Sequence, residues 1–592
     1  RQTDVDTNDD GVVNITDTDG LQVYRIDQDA DSNVTLATTA GPITVTNGQA
    51  GVAATTGTVA LTVGGANNVL TVADPVGATS GAITLTADKM TFSDTITTTG
   101  IVTLQETTAG QLVKLGAADA DGTLGLTDAE LDFVNNASAL RIGSTDAGNL
   151  SLEGGAAITP GTSMTTTSLI TGGTVTQTAG SVMNETSLRI TAAGAVTLTE
   201  ANDVDNVAID TSTGAIQFTD ADGFSVADVD TASGIDTDDS TVTLISTTGG
   251  ITVTDTLAAN DIEATGNITA TLVAEDAIFS ISAGADVETS GGNVTVNADN
   301  MALTGTITAT AGANQYVYLI PEDTGGSVEA IDLGGTGGAA NTLGLTSAEL
   351  SNVATDTLVI GDANSGAISV TADVTAPNVT NLHLISNSTV TGANATGGIN
   401  VGGGAGNLAV EAAGTVNLND LSNDAENVAI TTTGGNITYV DADGFAVADV
   451  DGVFGIDANG MASTVTLSST LGDVTVNNTS AASGNDIEAT SNIGVTLSGN
   501  DATLTVAAGA DVETSAGAIT LTADEMNIAG TVTNTGRTVT LTSNTITDDI
   551  VIHGGAANVA TAAGALELGD VELNQITAGT LNVGSAHQGE IT

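Results

Sequence analysis

The feature that most constrains this chain is a short alternating word that recurs along its whole length. It reads Gly-x-Ile/Val-Thr-Val/Leu-Thr followed by Asx or Gly, with close variants, as in residues 81–86, 249–254 and 472–477. Apolar residues and threonines alternate with a period of two, so they point to opposite faces of an extended strand. Valine, isoleucine and threonine favour strands, and glycine supplies the turns between them. The word therefore predicts short strands joined by tight corners.

The spacing of the words predicts how these strands are arranged. Successive words begin at Gly41, Gly57, Gly81 and Gly100. Two or three short strands in each turn of about 20 residues are typical of a parallel β-helix, or β-solenoid, and the words follow that rhythm. An antiparallel sandwich also spaces its strands evenly, but it usually has an aromatic-rich core, and aromatic residues are 2% of this chain. We therefore predict an all-β fold, a parallel β-helix.

A much longer repeat lies over the short one. The sequence Thr-Leu-Gly-Leu-Thr-Asp-Ala-Glu-Leu at 123–131 returns, with one substitution, at 342–350. A shorter third copy begins at Leu568, which corresponds to Leu345 of the second. We predict one continuous solenoid without independent globular domains. Its parts are a partial unit at residues 1–152 and two units of about 220 residues at 153–370 and 371–592.

In each copy of the long repeat, one stretch breaks the period of two. Thr127-Asp-Ala-Glu130 and Thr346-Ser-Ala-Glu349 fit a capping box, in which Thr and Glu satisfy backbone donors at the start of a helix. We predict a single helical turn at these corners, with Leu131 or Leu350 packed beneath it. Gly569 replaces the threonine in the third copy, which weakens the prediction there.

Charge limits the partners of this chain. It has 71 Asp and Glu against 7 Lys and Arg, a formal net charge of −64. Phosphate binding needs clustered basic residues, so we expect neither nucleic acid nor an anionic membrane surface as a partner. No run of about 18 apolar residues is present, so we expect no membrane insertion. Repulsion on this scale needs salt or bound cations, which favours a saline or calcium-containing exterior.

A first candidate for calcium binding lies near the start of the sequence. Its oxygen-bearing residues have the spacing of a 12-residue calcium loop and resemble the loop of dockerin-type modules. They are Asp6, Asn8, Asp10, Asn14 and Asp17, with Gly11 at the sixth position. The internal copies of this segment, residues 210–218 and 431–439, read instead as strand, corner and strand. They favour the interpretation as an acidic corner, which would bind calcium only loosely.

A second candidate is the sequence Asp-Ala-Asp-Gly-Phe, which occurs twice. It places two carboxylates on one side of a turn, Asp220 with Asp222 and Asp441 with Asp443. Further aspartates follow closely in both copies, so a cation could bridge adjacent turns. The alternative is that Asp and Gly are simply favourable corner residues. We hypothesise that calcium stiffens the stack at these corners, and we expect no other cofactor.

An enzyme is the main rival class, because β-helices also carry polysaccharide lyases and hydrolases. Paired carboxylates could perform acid–base chemistry, but a sugar cleft usually adds aromatic platforms and basic residues, and neither type clusters in this sequence. His383, His553 and His587 are the three histidines, and their separation does not suggest a metal site. We therefore predict a protein without catalytic activity.

Three words carry a resemblance to a known family. They are Leu-Thr-Asp-Ala-Glu-Leu at 126–131, Leu-Val-Ile-Gly-Asp at 358–362 and Gly-Ala-Ile-Thr-Leu-Thr-Ala-Asp at 517–524. The chain resembles the filamentous haemagglutinin-like, giant repeat-containing surface proteins of bacteria. This resemblance implies a right-handed β-helix, export to the bacterial cell surface and an adhesive or filamentous role.

Together these inferences predict the structural shaft of an extracellular filament or giant surface adhesin. Its partners would be further copies of the same repeat, either head to tail or as a continuation of the chain. The main alternative is a surface-layer or matrix protein that forms lateral sheets. The sequence does not indicate which receptor such an adhesin would recognise.

Overall fold

The structure is a computed structural model with two compact units. It describes residues 2–7, 11–28, 31–46, 48, 50–161, 163–312, 314–322, 328–336, 341–392, 397–477, 486–554, 565–585 and 589–592. The first unit comprises Arg1–Ala274 and Phe279–Gly292, and the second comprises Glu275–Ile278 and Asn293–Thr592. The predicted division of the chain at residues 152 and 370 stays a prediction.

The first unit is a parallel β-helix, as predicted, with up to three short strands in each rung. One rung and the next pair strand by strand: Val59–Val63 with Ile83–Thr86, Val69–Val72 with Lys89–Phe92, and Val76–Ala78 with Ile96–Thr97. Residues of the same type pair from one rung to the next, as Val59 does with Ile83 and Leu61 with Leu85. The apolar side chains of each strand therefore point into the lumen, and the residues between them, mostly threonines, point outward. The backbone hydrogen bonds run from rung to rung.

Three stacks account for most strands of the first unit. The main stack is Val13–Asp17, Val34–Thr38, Val59–Val63, Ile83–Thr86, Ile101–Gln105, Ala139–Ser144, Thr166–Thr171, Val182–Ala192, Val196–Thr211, Ile235–Thr237, Ile262–Ala264 and Asp286–Thr289. A second face carries Leu21–Gln28, Ile43–Val45, Val69–Val72 and Lys89–Phe92, then Leu112–Leu115, Leu150–Leu152, Val175–Gln177, Ile216–Asp220, Val242–Ser246 and Ile268–Leu272. A third face carries Gly51–Ala54, Val76–Ala78, Ile96–Thr97 and Val134–Asn135, and later Phe224–Val226 and Ile251–Val253.

The second unit is built in the same way. Its main stack is Thr306–Ala309, Val353–Ile360, Val379–Ser386, Asn407–Ala412, Asn427–Thr432, Ile456–Ala458, Ile487–Ala489, Asp511–Thr514, Thr531–Thr542 and Ile576–Val583. A second face carries Ala330–Leu333, Ile368–Val370, Val390–Gly392, Val416–Leu418, Ile437–Asp441, Val465–Ser469, Ile493–Leu497 and Ile519–Thr522. A third face carries Val374–Ala376 and Ile399–Val401, then Phe445–Val447, Val474–Val476, Thr503–Val506 and Glu525–Ile528.

Rungs are about as long as predicted, except where the long repeat places its helical turn. The regular length is seen where Ile83 pairs with Val59 and Val102 pairs with Ile83. In contrast, the next partner of Val102 is Leu140, so this rung is much longer. The corresponding rungs of the later copies are similarly enlarged, with Leu358 paired to Val317 and Leu581 to Val539. Each enlarged rung contains one helical turn: Asp128–Leu131, Ser347–Leu350 and Asp570–Leu573.

The capping box predicted for these turns is confirmed in the first two copies. The backbone amide of Thr127 donates to the Glu130 carboxylate at 3.0 Å, and the Glu130 amide donates back to the Thr127 hydroxyl at 3.3 Å. Leu131 and Leu350 are fully buried. In the third copy the turn forms without a capping hydroxyl, because the Gly569 amide still donates to the Glu572 carboxylate at 2.9 Å. The hydrogen bond to the Glu572 carboxylate is therefore sufficient to start this helical turn.

The lumen is filled mainly by valine, isoleucine, leucine and alanine, with a few aromatic side chains such as Tyr439, Phe218 and Phe279. It therefore holds more bulky side chains than the small and β-branched ones that the composition predicts. Val474 and Val476 are fully buried, and Thr475 between them faces outward. Buried hydroxyls satisfy the backbone where strands turn: the Ser469 hydroxyl donates to the carbonyl of Gly472 at 2.7 Å, and the Gly472 amide donates back at 3.1 Å. In the described part of the chain, no helix is long and apolar enough to cross a membrane.

Candidate functional site

The first Asp-Ala-Asp-Gly-Phe sequence forms a corner that is organised by Asp220. One oxygen of its carboxylate accepts hydrogen bonds from the amides of Asp222 and Gly223, at 3.1 and 2.9 Å. The other oxygen accepts from the amide of Val204, in the preceding rung, at 3.0 Å. Asp220 is completely buried. This carboxylate therefore closes its own turn and attaches that turn to the rung before it.

The second copy repeats this arrangement around Asp441. Its carboxylate accepts from the amides of Asp443 and Gly444 at 3.2 and 2.9 Å, and from the amide of Ala425 at 3.3 Å. The Tyr439 hydroxyl adds a fourth bond of 2.7 Å. Both corners also carry an edge-to-face aromatic pair, with ring centroids 5.1 Å apart. The motif is thus a buried structural element in both units.

Burial changes the protonation of these corner carboxyls. It raises the pKa of Asp220 and of Asp441 to about 6, although the hydrogen-bond donors around them act in the opposite direction. A carboxyl whose folded pKa lies above its unfolded value binds its proton more tightly in the folded state. Its contribution to stability is fully present below about pH 4 and is lost as the pH rises through about 6. The two corners therefore favour folding under mildly acidic conditions.

Asp17 forms the same corner near the start of the chain. It ends the strand Val13–Asp17, and its carboxylate accepts from the amides of Asp19 and Gly20 at 3.0 and 3.4 Å. Asp6 lies in the strand Gln2–Thr7, opposite Asp27. Asn8 and Asp10 lie outside the described residues. Strands Gln2–Thr7 and Val13–Asp17 lie on either side of this segment, and both the calcium loop and the acidic corner stay predictions.

The donor pattern at these corners suits a backbone clamp better than a calcium ligand. Calcium takes six to eight oxygens that point at the ion, whereas both oxygens of Asp220 and Asp441 already accept from N–H or O–H donors. Within the described residues, no group of three or more acidic or histidine side chains is placed to hold a metal ion. Calcium binding at Asp220, Asp222, Asp441 and Asp443 stays a prediction.

A second acidic feature, which the sequence reasoning missed, is a column of outward carboxylates in the first unit. Asp210, Asp236, Glu263 and Glu288 are direct register partners on four successive rungs. Neighbouring strands lie about 4.8 Å apart, so like charges stack closely. Burial, followed by the charges of Glu263, Asp238 and Asp210, raises the pKa of Asp236 to about 6.

The second unit carries a shorter version of this column. Asp457, Glu488 and Glu513 are register partners on three successive rungs, and Thr431 stands where the first unit has Asp210. Burial and the neighbouring Glu488 raise the pKa of Asp457. The signal for both columns was present in the repeated words Ile-Glu-Ala and Val-Glu-Thr, whose glutamates are separated by one rung.

The first column leads to a prediction for Asp236→Asn. At pH 7 and low salt, we expect this change to increase the free energy of unfolding by up to about 1 kcal/mol, because it removes a like charge between two register neighbours. The gain should vanish near pH 4.5, where the Asp236 carboxyl is already protonated. Thermal unfolding at both pH values measures it. Asp239→Asn removes the same charge from an exposed turn outside the column and serves as the control. Equal effects of the two variants would contradict the prediction.

The basic residues are mostly committed to internal ion pairs. Arg25, Lys89, Lys114, Arg141 and Arg189 each contact a carboxylate, at distances between 2.6 and 3.2 Å. Of the histidines, His383 is buried between two carboxylates, His553 is partly exposed at a strand end, and His587 lies outside the described residues.

A comparison with family models, curated proteins and solved structures finds no match for this chain.

Proposed function

We propose that this chain is the structural shaft of an extracellular bacterial filament or giant surface adhesin, of the filamentous haemagglutinin-like kind. Its role is mechanical. Backbone hydrogen bonds along the stack carry the load, the apolar side chains of the lumen hold successive rungs in register, and the acidic face keeps neighbouring shafts hydrated and apart.

The observation that carries the proposal is the repetition of one rung design within each unit. In the second unit, apolar side chains stack directly on each other from Phe445 to Val474 to Leu504, and all three are buried. A stack of this kind is stabilised by nearest-neighbour contacts, so its length can grow without a new type of core. A protein that has to span distance benefits from this property more than a protein that has to enclose a substrate.

We propose further copies of the same repeat as partners, either head to tail or as a continuation of the chain. The nearest-neighbour stacking of the rungs supports this part of the proposal, because each rung pairs with the next through the same kind of parallel strand contact.

We propose that the shaft has no catalytic role. Two surface grooves, of about 440 and 420 Å³, have linings without a titratable side chain, which acid–base or nucleophilic chemistry needs. A smaller groove of about 180 Å³ does contain carboxylates, those of Glu411 and Asp457. We propose that these and the other outward carboxylates solvate the shaft.

Electron microscopy and fibre diffraction of native material test the proposal. We expect a thin fibre with an axial repeat of about 4.8 Å, the distance between neighbouring strands. A planar lattice would support the alternative surface-layer or matrix protein, whose acidic walls need bridging cations. A discrete globular particle would contradict both proposals.

Calcium stiffening forms a separate part of the proposal. Thermal unfolding is measured with calcium, with chelator and with sodium chloride at matched ionic strength, at pH 7. A specific contribution raises the midpoint with calcium above that with sodium. Identical midpoints in calcium and chelator would contradict calcium stiffening and leave the shaft itself standing, because the rung contacts do not involve the ion.

A further inference from the structure

Each unit carries an antiparallel hairpin that leaves the stack and lies against its outward face. The first pairs Asp228–Val229 with Ala232–Ser233, and the second pairs Asp449–Val450 with Val453–Phe454. Their turns contain Asp230 and Asp451, which end the matching words at 219–230 and 440–451 and so occupy the same place in the long repeat. Both aspartates have a left-handed backbone, with φ of 54° and 47°. The two hairpins are therefore equivalent copies of one structural element.

In the first unit, arginines hold the hairpin. The carboxylate of Asp230 accepts two hydrogen bonds from Arg141, at 2.7 and 2.8 Å, and one from Arg189 at 3.2 Å. The Ser168 hydroxyl donates a further bond of 2.9 Å. Burial acts to raise the pKa of Asp230, but hydrogen bonds from Arg141 and Ser168 and the charges of both arginines hold it below its usual value. Since arginine stays protonated at physiological pH, this attachment does not depend on pH.

In the second unit, a histidine takes over this role. Nδ1 of His383 lies 2.7 Å from the Asp451 carboxylate, whose other oxygen accepts from the Tyr316 hydroxyl at 2.8 Å. Nε2 lies 3.3 Å from the Glu411 carboxylate, without a hydrogen bond between them. His383 is 4% exposed. The imidazole is thus enclosed between two carboxylates.

The register explains why no arginine assists it. Arg189 pairs with Ala208, and at the same place in the later copy Ala409 pairs with Ala429. Ala409 and Ala429 pack instead against Val450 and Val453 beneath the hairpin. In the sequence of the second unit, Arg537 is the single Lys or Arg, and it lies on the distant strand Thr531–Thr542. Among the described residues at this hairpin, the imidazole is therefore the side chain that is able to carry a positive charge.

We propose that the second hairpin is a pH-dependent clasp, closed when His383 is protonated and loosened when it is neutral, whereas the first hairpin is permanently closed. An imidazolium donates from both nitrogens and offsets the charges of Asp451 and Glu411. A neutral imidazole donates from one nitrogen only, and its lone pair then faces a carboxylate. Loosening exposes the apolar contact of Val450 and Val453 with the sheet.

The other titratable groups around His383 do not replace it. Tyr316 and Tyr318 lie on an earlier rung, where Tyr318 pairs with Val359 and Val359 pairs with His383. The hydrogen bond to Asp451 raises the pKa of Tyr316 to about 12, so this phenol stays neutral. Asp356, on the neighbouring strand Val353–Ile360, accepts from the Gln315 amide. Asp449, on the hairpin itself, is exposed. Asp457 lines a groove beside the hairpin together with Glu411, and burial and the charge of Glu488 raise its pKa. Among these residue types, histidine is the one that carries a positive charge when protonated.

Thiol labelling tests the clasp, because the chain contains no cysteine. Val450→Cys places a thiol beneath the second hairpin, and Val229→Cys places one at the matched position beneath the first; each valine is 3% exposed. Labelling rates are measured from pH 5.5 to 8.5 and divided by the rates of the same variants in denaturant, which removes the effect of thiol ionisation. Between pH 5.5 and 8.5, we expect the corrected labelling rate of V450C to rise by about tenfold, which corresponds to the loss of one charge-assisted hydrogen bond. The corrected rate of V229C should stay constant over the same range.

Two changes at His383 show whether the imidazole is responsible. In the V450C background, His383→Gln should label at the fast rate throughout, because its side chain is never charged. His383→Arg should label slowly throughout, as the first hairpin does. The clasp is disproved if V450C and V229C share one pH dependence, or if the dependence of V450C survives in H383Q. Far-UV circular dichroism of each variant confirms that the β-helix is intact, so that fast labelling reports the hairpin alone.

Discussion

Replacing Val474 by aspartate is expected to open the turns around it and to cost about 4 kcal/mol or more. Val474 is fully buried between Phe445 of one rung and Leu504 of the next. Both register neighbours are apolar, so neither offers a hydrogen bond to a carboxylate at this point. Repeat stacks unfold locally, so the damage should appear as new protease cleavage and faster amide exchange within a few rungs. Lowering the pH to about 4.5 should restore part of the protection, because a buried carboxyl is then neutral.

Thr475→Asp is the matched control for this change. Thr475 is next in sequence but faces outward, and its register neighbours are Ala446 and Thr505, neither of which is charged. We expect a change in the free energy of unfolding within about 0.5 kcal/mol, as for an ordinary surface substitution. Equal protease sensitivity of the two variants would mean that the assigned facing of this strand is wrong.

A second large effect is expected for Gly472→Ala, at about 3 kcal/mol. A β-carbon on Gly472 would overlap the carbonyl oxygen of Asp443, because the corners of adjacent rungs approach each other with backbone against backbone. Backbone cannot move aside as a side chain can, so the corner between Ser469 and Gly472 has to shift. Urea unfolding with amide exchange at residues 465–476 measures the loss.

Gly494→Ala provides the contrast within the same unit. Gly494 lies within the strand Ile493–Leu497, and nothing lies within 4 Å of the place its β-carbon would occupy. Alanine loses less conformational entropy than glycine on folding. We therefore expect the free energy of unfolding to stay the same or to increase by about 0.5 kcal/mol. Gly249→Ala, at the equivalent corner of the first unit, should behave as Gly472→Ala does, since its β-carbon would overlap the Asp222 carbonyl. Similar effects of all three changes would contradict the close-approach argument.

Much of the fold follows from the sequence, because the relevant physics is local. Alternation with a period of two places Val474 in the lumen and Thr475 outside, and a Thr with a Glu three residues later marks the first two helical turns. Stacking identical rungs then turns each local pattern into a column. This is why a β-helix and its facing could be predicted without any long-range information.

The acidic corners could be found in the sequence, but their chemistry could not be assigned from it. Asp220 and Asp441 look like calcium ligands when only spacing is considered. The preceding rung buries these carboxylates. It also supplies the amides of Val204 and Ala425, each 16 residues earlier in the chain, which donate hydrogen bonds to Asp220 and Asp441. Whether a carboxylate faces solvent, an ion or a backbone amide depends on that neighbouring rung.

By itself, the sequence determined the strand type, the rung length, the long repeat and the acidic charge, because each depends on residues close together in the chain or on simple comparison of its parts. Only the tertiary structure decided which distant residues meet. The carboxylate column from Asp210 to Glu288 depends on the exact register of four rungs. The meeting of His383 with Asp451 joins residues 68 positions apart through a hairpin that leaves the stack. Register and hairpin direction are set by packing between rungs, and no local pattern specifies them.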